Sequence, residues 1–482
     1  MKWSDGAPFT SADVMFAWHD VWFNTDMQPA PPSRLLLNGE PVQLSAPDDY
    51  TLVFDFPSPY PTFIFAAMRI ADMISYPKHF LAPFHPRYTP TATLKDFQAA
   101  KAVGLNPGYP SVTPWVVKVH DTNGVIVERN PYFCGVDTAG NQLPYADTYE
   151  FPFVGTTENA VLKTIAGEID VGERNLQFFE NLPVLKEGEA QGNYQVLLYR
   201  GSAFTQPTGL IFGYNLQDPD HPELHDLLRN PQFRLALSQG IDRDALRSTV
   251  LLGLGRSTSF SLSTTSPFWD QEFEEICSRY SALDTDRANA ILDELGLFRD
   301  AAGQRRYPSG KAVTIILDAV AEFTPFRRAS EVLVAAWQGL GIDARLNAIA
   351  RSAVQSRIGS NLLHASVWGQ DATEIPLVRP DAEIFNLLYT DMNTYRDGVP
   401  LPEHVKLLEL QQQIFGEPDT AKSKELLKEV ARLRVETALN FHLVGDLPIM
   451  VVRSNRVGNM PDVGLSLQTF IYERPEQFYI KA

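Results

Sequence analysis

The stretch His221-Pro222-Glu223-Leu224-His225 sets two imidazoles four residues apart with a carboxylate between them, the ingredients of a zinc site. In a zinc-protease helix the glutamate directly follows the first histidine, and an unbroken helix keeps both rings on one face. Here Pro222 follows His221 and biases it away from helical backbone, so a loop-to-helix junction is expected there and no metal site. Asp293 and Glu294 are neighbours on a charged helix and cannot face each other across a substrate; a solvated face is expected. The sequence contains no GxSxG elbow, no GxxxxGK(S/T) phosphate loop, no GxGxxG opening a helix and no CxxC pair. Cys134 and Cys277 lie far apart with no histidine in ligand spacing, and are expected to be unpaired, buried thiols.

The chemistry that stands out is aromatic. Seven tryptophans (Trp3, Trp18, Trp22, Trp115, Trp269, Trp337 and Trp368) are scattered among many Tyr and Phe. Trp337 falls in the middle of an amphipathic helix and belongs to a core. Trp269 and Trp368 sit near loops instead. Aromatic faces with sparse polar groups suit a site that encloses a flexible, partly polar ligand.

The elements that must position such a site read as α/β. At 482 residues, 44% of them apolar, the chain exceeds what one hydrophobic core spans, so two or three domains are expected. The net charge of −17 is spread along the chain, which argues against nucleic acid or an anionic membrane as the main partner. No apolar run approaches bilayer length. Near the start, Thr10 or Ser11 caps a helix carrying Val14 to Phe23. Thr51 to Phe56 is strand-like, and "WVVKVHDTNGVIVERNPYF" is a hairpin turning at Asn123-Gly124. Further on, helices closed by Gly167, Gly296 and Gly339 or Gly341 alternate with strands at Tyr194 to Arg200, Thr208 to Leu216, "AVTIILDAV", "IDARLNAI" and "HASVWGQD". A helix opens at Pro231, and Ala421 to Leu439 is a long amphipathic helix. This βαβ rhythm implies a mixed sheet sandwiched by helices.

Four segments in order, "WSDGAPFTSADVMFAW", "ERNPYFCGVDTAGNQLPYAD", "IAGEIDVG" and "NLQDPDHPELHDLLRNPQFRLALSQGIDRDAL", resemble signatures of the family 5 extracytoplasmic solute-binding proteins, receptors of ABC importers for oligopeptides, dipeptides, nickel or oligosaccharides. The long "VDTAGNQLPYAD" insert is similar to that of the larger members. Cys134 departs from the pattern, since members commonly carry Trp there. In the family the first of these segments lies well inside the protein, after a signal peptide and the first strands of lobe I. The resemblance therefore implies an N-terminally truncated chain with lobe I incomplete at its start.

The resemblance implies a two-lobed, type II periplasmic-binding-protein-like α/β fold with a small extra domain. Residues 1–110 would be the remnant of the small domain, 111–213 the first part of lobe I, 214–447 lobe III and 448–482 the return to lobe I. "LIFGYNL" and "DLPIMVV" would be the crossing strands, with hinges at Gly213 and Gly445. It implies capture of a peptide or oligosaccharide without chemistry, in a monomer with no cofactor and no metal, and delivery to membrane permease subunits from the periplasm or another extracytoplasmic space. The alternative is a hydrolase acting on the same ligands, for which the sequence offers no catalytic constellation. "VWGQDATEIP" is similar to the family stretch whose aspartate pairs with a peptide's ammonium, so Trp368, Gln370 and Asp371 are expected to bind ligand. Tyr214, Asn215 and Arg256 join them by their place at crossing-strand or loop positions.

Overall fold

The computed structural model describes the chain apart from residues 29–30, 33–34, 38, 62, 64–69, 103–105, 174–175, 177, 202–205, 265, 267, 370–399, 467–473 and 482. Helix α1 (Ser11–Met15) starts where Asp13 accepts the Thr10 N–H at 3.0 Å. The helix expected to continue to Phe23 instead widens into a π-helix over Phe16–Trp22, with Phe23 N–H reaching back to the Trp18 carbonyl. Phe16, Trp18, Val21 and Trp22 are all buried in this stretch. They form a first core with the hairpin β1 (Gln43–Asp48) and β2 (Thr51–Asp55), through Leu44, Phe54 and their neighbours.

The hairpin predicted around Asn123-Gly124 is present as β3 (Trp115–His120) and β4 (Gly124–Arg129), joined by β5 (Thr148–Pro152) into an antiparallel three-stranded sheet. Gly124 carries the positive φ, and a Cβ there would lie 2.3 Å from the Phe151 carbonyl oxygen. Helix α2 (Thr157–Ile165) is capped by Thr156 and stops before Gly167, whose φ is +74°. Strands β6 (Val171–Gly172) and β7 (Tyr194–Gly201) follow and belong to a four-stranded sheet completed from the far end of the chain.

The chain then enters a second sheet. Strand β8 (Gly209–Phe212) is buried along its whole length, and helix α3 (Pro231–Gln239) begins with Pro231 in its first turn as its sequence predicts. After the short strand β9 (Arg256–Ser257) come β10 (Thr314–Val320), helix α4 (Thr324–Gly339), β11 (Asp343–Ile349) and β12 (Ala365–Trp368). Strand β10 pairs in parallel with both β11 and β12, while β8 runs antiparallel on β12, giving the order β8-β12-β10-β11. A parallel strand covered on both faces must be apolar almost throughout, which is why "TIILDAV" shows no alternation. The exception, Asp318, is fully buried and held by Arg357 Nε at 2.7 Å and Asn347 Nδ2 at 2.6 Å. Trp337 of α4 is buried as expected and donates its indole N–H to the Leu237 carbonyl.

Helices α5 (Pro402–Gly416) and α6 (Thr420–Thr437) pack against each other and against this second core. Leu407, Leu410 and Ile414 of α5 face the second core, whereas Phe415 inserts into the first, its ring 5.8 Å from that of Tyr60. The chain returns through β13 (Val444–Gly445), paired with β9, and β14 (Ile449–Ser454). Strand β14 pairs with β6 and β7, and β15 (Leu465–Ser466) lies on the other side of β7, so the first sheet reads β15-β7-β14-β6.

The two cysteines are free, but only Cys277 is buried. Cys134 is exposed: it follows Pro131-Tyr132-Phe133 in a surface turn, its sulfur 3.5 Å from that of Met1.

Candidate functional site

Two segments join the sheets. One leaves β7 at Gly201 and enters β8 at Gly209; the other leaves β13 at Gly445 and enters β14 at Ile449. The two run side by side where they meet the second sheet. Thr208 accepts the Leu443 N–H at 2.8 Å and the Val444 N–H at 3.3 Å, and Gly209 bridges to His442. "LIFGYNL" and "DLPIMVV", expected to cross, contribute β8 wholly to the second sheet and β14 wholly to the first. The crossings lie just outside those strands.

In open α/β sheets the ends of the parallel strands leave a crevice where backbone and loops can receive a ligand. Here the carboxyl ends of β10 and β12 are Val320 and Trp368. Trp368 is half-buried, and the Arg351 guanidinium stands 6.0 Å from its ring centre. The Glu322 carboxylate just beyond β10 accepts the Arg351 N–H at 3.2 Å. Next to it Phe323 packs on Phe178 at 5.6 Å, and Glu180 lies 3.9 Å from Arg328. Phe178 and Glu180 come from the chain between β6 and β7, so the part bearing the first sheet meets the carboxyl edge of the second. Burial holds the Glu180 carboxyl above its ordinary range, against the pull of Arg328. Gln206 and Thr208, on the first crossing, are buried as well.

The residues expected from sequence divide. Trp368 stands at the sheet edge; Gln370 and Asp371 lie outside the described residues. Tyr214 is fully buried inside the second core, exchanging hydrogen bonds with Asn440 and stacked near Arg234, which leaves it no surface for a ligand. Asn215 is buried too and accepts from Arg229 at 3.2 Å. Arg256 points to the second crossing: its Nε donates to Asp446 at 2.9 Å and its guanidinium lies 4.8 Å from the Trp269 ring centre. Neither glycine expected as a hinge has a positive φ. A Cβ on Gly213 would sit 1.9 Å from the Leu363 carbonyl oxygen, and one on Gly445 would sit 2.3 Å from Ser261 Oγ. Close packing is what these two positions require. Arg351, Phe323 and Glu180 were not found by sequence; only their position just after strands or in a short turn could have signalled them.

His221 and His225 do not converge. His225 Nδ1 faces Asp226 at 2.9 Å, while His221 packs edge-on against His364. His364 is fully buried, takes the Ile316 N–H on Nδ1 and faces Asp218 through Nε2 at 2.8 Å. Among the described residues no group of three metal-ligating side chains converges. An open groove of about 1210 Å³ lies between α5, α6 and the Ser58-Pro59 turn and shares no residue with the sheet edge. Of its three lysines, Lys424 is engaged with Asp270 and the buried Lys428 with Asp270, Glu272 and Glu425.

With this architecture in view, the sequence matches the model of the bacterial extracellular solute-binding proteins, family 5, over residues 1–376. The chain belongs to that family. It is 29% identical over 371 residues to a periplasmic alpha-galactoside-binding protein of Rhizobium meliloti, covering 72% of this chain and 50% of that protein. A probable ABC transporter-binding protein of Deinococcus radiodurans is 26% identical over 56% of this chain and 44% of its own length. The chain thus spans about half the length of the curated relatives it matches. Among solved structures, an oligopeptide-binding protein OppA superposes with a TM-score of 0.65 at 28% identity, over all of this chain and 81% of that one. The binding protein MelB of Agrobacterium fabrum, solved with stachyose, superposes with a TM-score of 0.78 at 21% identity, over all of this chain and 73% of its own. The fold is that of the two-lobed family 5 binding proteins, mixing helix and strand. No described helix is long and apolar enough to cross a membrane.

Proposed function

We propose that this chain is the capture component of an ABC importer, closing two lobes on an oligosaccharide or a peptide and handing it on intact. The observation that carries this reading is the pair of adjacent crossings joining two sheets, with Trp368 and Arg351 at the carboxyl edge beside them. In this reading residues 111–213 and 448–482 make one lobe, 214–447 the other, and 1–110 the small domain. The relatives' names support both ligand classes: an alpha-galactoside and stachyose on one side, oligopeptides on the other. An indole at the edge of a cleft offers a sugar ring an apolar face to stack on. Asp371 would pair with an ammonium if the ligand is a peptide. The protein would work as a monomer in the periplasm and dock on permease subunits in the membrane.

Titration calorimetry with stachyose and with a nonapeptide, followed by chromatography of the recovered ligand, tests this. Binding with the ligand recovered whole is the expected result. Trp368→Ala is expected to weaken stachyose at least ten-fold, and Asp371→Asn to weaken the peptide instead. Ligand recovered in fragments would make the protein a hydrolase, and binding untouched by Trp368→Ala would move the site away from the β12 edge.

A further inference from the structure

Asp446 occupies the last turn before the chain crosses to the first sheet, and it is held from two directions. Its Oδ2 receives Arg256 Nε at 2.9 Å, and its Oδ1 receives the Thr264 backbone N–H at 2.9 Å. Arg256 is itself fixed: its guanidinium lies 4.8 Å from the Trp269 ring centre, and its Nη1 stands 3.6 Å from Glu274. Both partners are about four-fifths buried, at 20% and 18% exposure, so the pair is shielded from solvent screening. The backbone agrees. Asp446 adopts φ +53°, Arg256 and Gly445 are register partners in the β9-β13 ladder, and Val444 donates to Thr208 of the other crossing. Beyond Asp446, Leu447 still belongs to the second core, while Ile449 is already paired in the first sheet. The change of body is therefore compressed into Leu447-Pro448.

We propose that Arg256 and Asp446 form a clamp on the second crossing, which anchors residues 444–446 to the second lobe and confines the bending of this crossing to Leu447-Pro448. The inference rests on the two-lobe capture reading. Arg256 is then a positioning residue, not a ligand contact, and Gly445 is part of the anchored side of the hinge, not its pivot. Hinge positions are those that absorb dihedral change, and a residue locked in a ladder, with the Ser261 hydroxyl 2.3 Å from where its Cβ would lie, cannot do so.

Hydrogen exchange of the unliganded protein judges the clamp without reference to any ligand. In Arg256→Gln and Asp446→Asn the Val444 and Thr264 amides are expected to exchange at least ten-fold faster than in the unmodified chain, with the rest of the second sheet unchanged. Exchange unaltered at both amides in both variants overturns the clamp. Calorimetry with stachyose and with a nonapeptide is the second readout. The two substitutions should shift affinity by the same factor, about five-fold, and the double variant by no more than either alone. Loss of binding in Arg256→Gln with none in Asp446→Asn would make Arg256 a ligand contact and overturn the assignment. If the unmodified chain binds neither probe, the capture reading fails, and the exchange result still decides whether the pair anchors the crossing.

Discussion

His442 shows what burial does to a single titratable group. It is fully buried, accepts the Ser261 N–H on Nδ1, and has Arg243, Arg256 and Arg434 near it. Burial first, and then those cations, push its pKa down to about 3. The unfolded chain, with an ordinary histidine near 6.5, takes the proton first, so stability is whole above about pH 6.5 and falls as the pH drops below it. Each such histidine contributes a slope of about 1.4 kcal/mol per pH unit. His364, lowered by burial in the same way, adds to it. Depressed carboxylates such as Asp218 and Asp343 contribute only at lower pH, near and below the ordinary carboxylate range, so from pH 6.5 to 4.5 the histidines set the fall, opposed by Glu180, whose raised pKa acts with the other sign. Chemical denaturation across that window should show the slope, and His442→Gln should reduce it. Arg243 makes a second case: its buried guanidinium donates to the carbonyls of Ser238, Thr258 and His442. Arg243→Met strands those acceptors and is expected to cost about 3 kcal/mol of unfolding free energy, measured by the same denaturation.

At the scale of elements, most strands and helices were legible because their apolar periodicity and their stops are local. Gly167 and Gly296 end helices with positive φ, and the buried β10 announces itself as an unbroken apolar run. Three features were not legible, each because a distant partner decides it. The helix after Met15 widens where Trp18 and Trp22 enter a core shared with Tyr76, far along the chain. Tyr214 looked available at a strand end until Asn440 and Arg234 closed around it. Arg256 was expected to bind ligand from its loop position, but its partner Asp446 is remote in sequence, and no local pattern links them. The same holds for Gly213, which suggests flexibility in sequence yet faces a carbonyl in space. Gly213→Ala is therefore expected to destabilise by about 2 kcal/mol through overpacking, with ligand affinity unchanged in the fraction that folds. An unchanged melting temperature would return Gly213 to the list of candidate pivots.

On the scale of the molecule, α5 holds two cores to one another. Three of its side chains serve the second core and Phe415 serves the first. Phe415→Ala is expected to cost about 3 kcal/mol. Calorimetry should then resolve an earlier transition for the unit built on residues 1–110; one transition at an unchanged midpoint would argue that the cores are joined elsewhere. The unequal environments of the two cysteines reach further than packing. Burial pushes the Cys277 thiol up to about 12, while Cys134 stands exposed in its turn. A thiol-reactive probe added to the folded, unaltered chain will therefore modify one atom, the sulfur of Cys134. Every molecule in the sample can thus be tethered to a surface, or given a single fluorophore, in the same orientation without changing a residue.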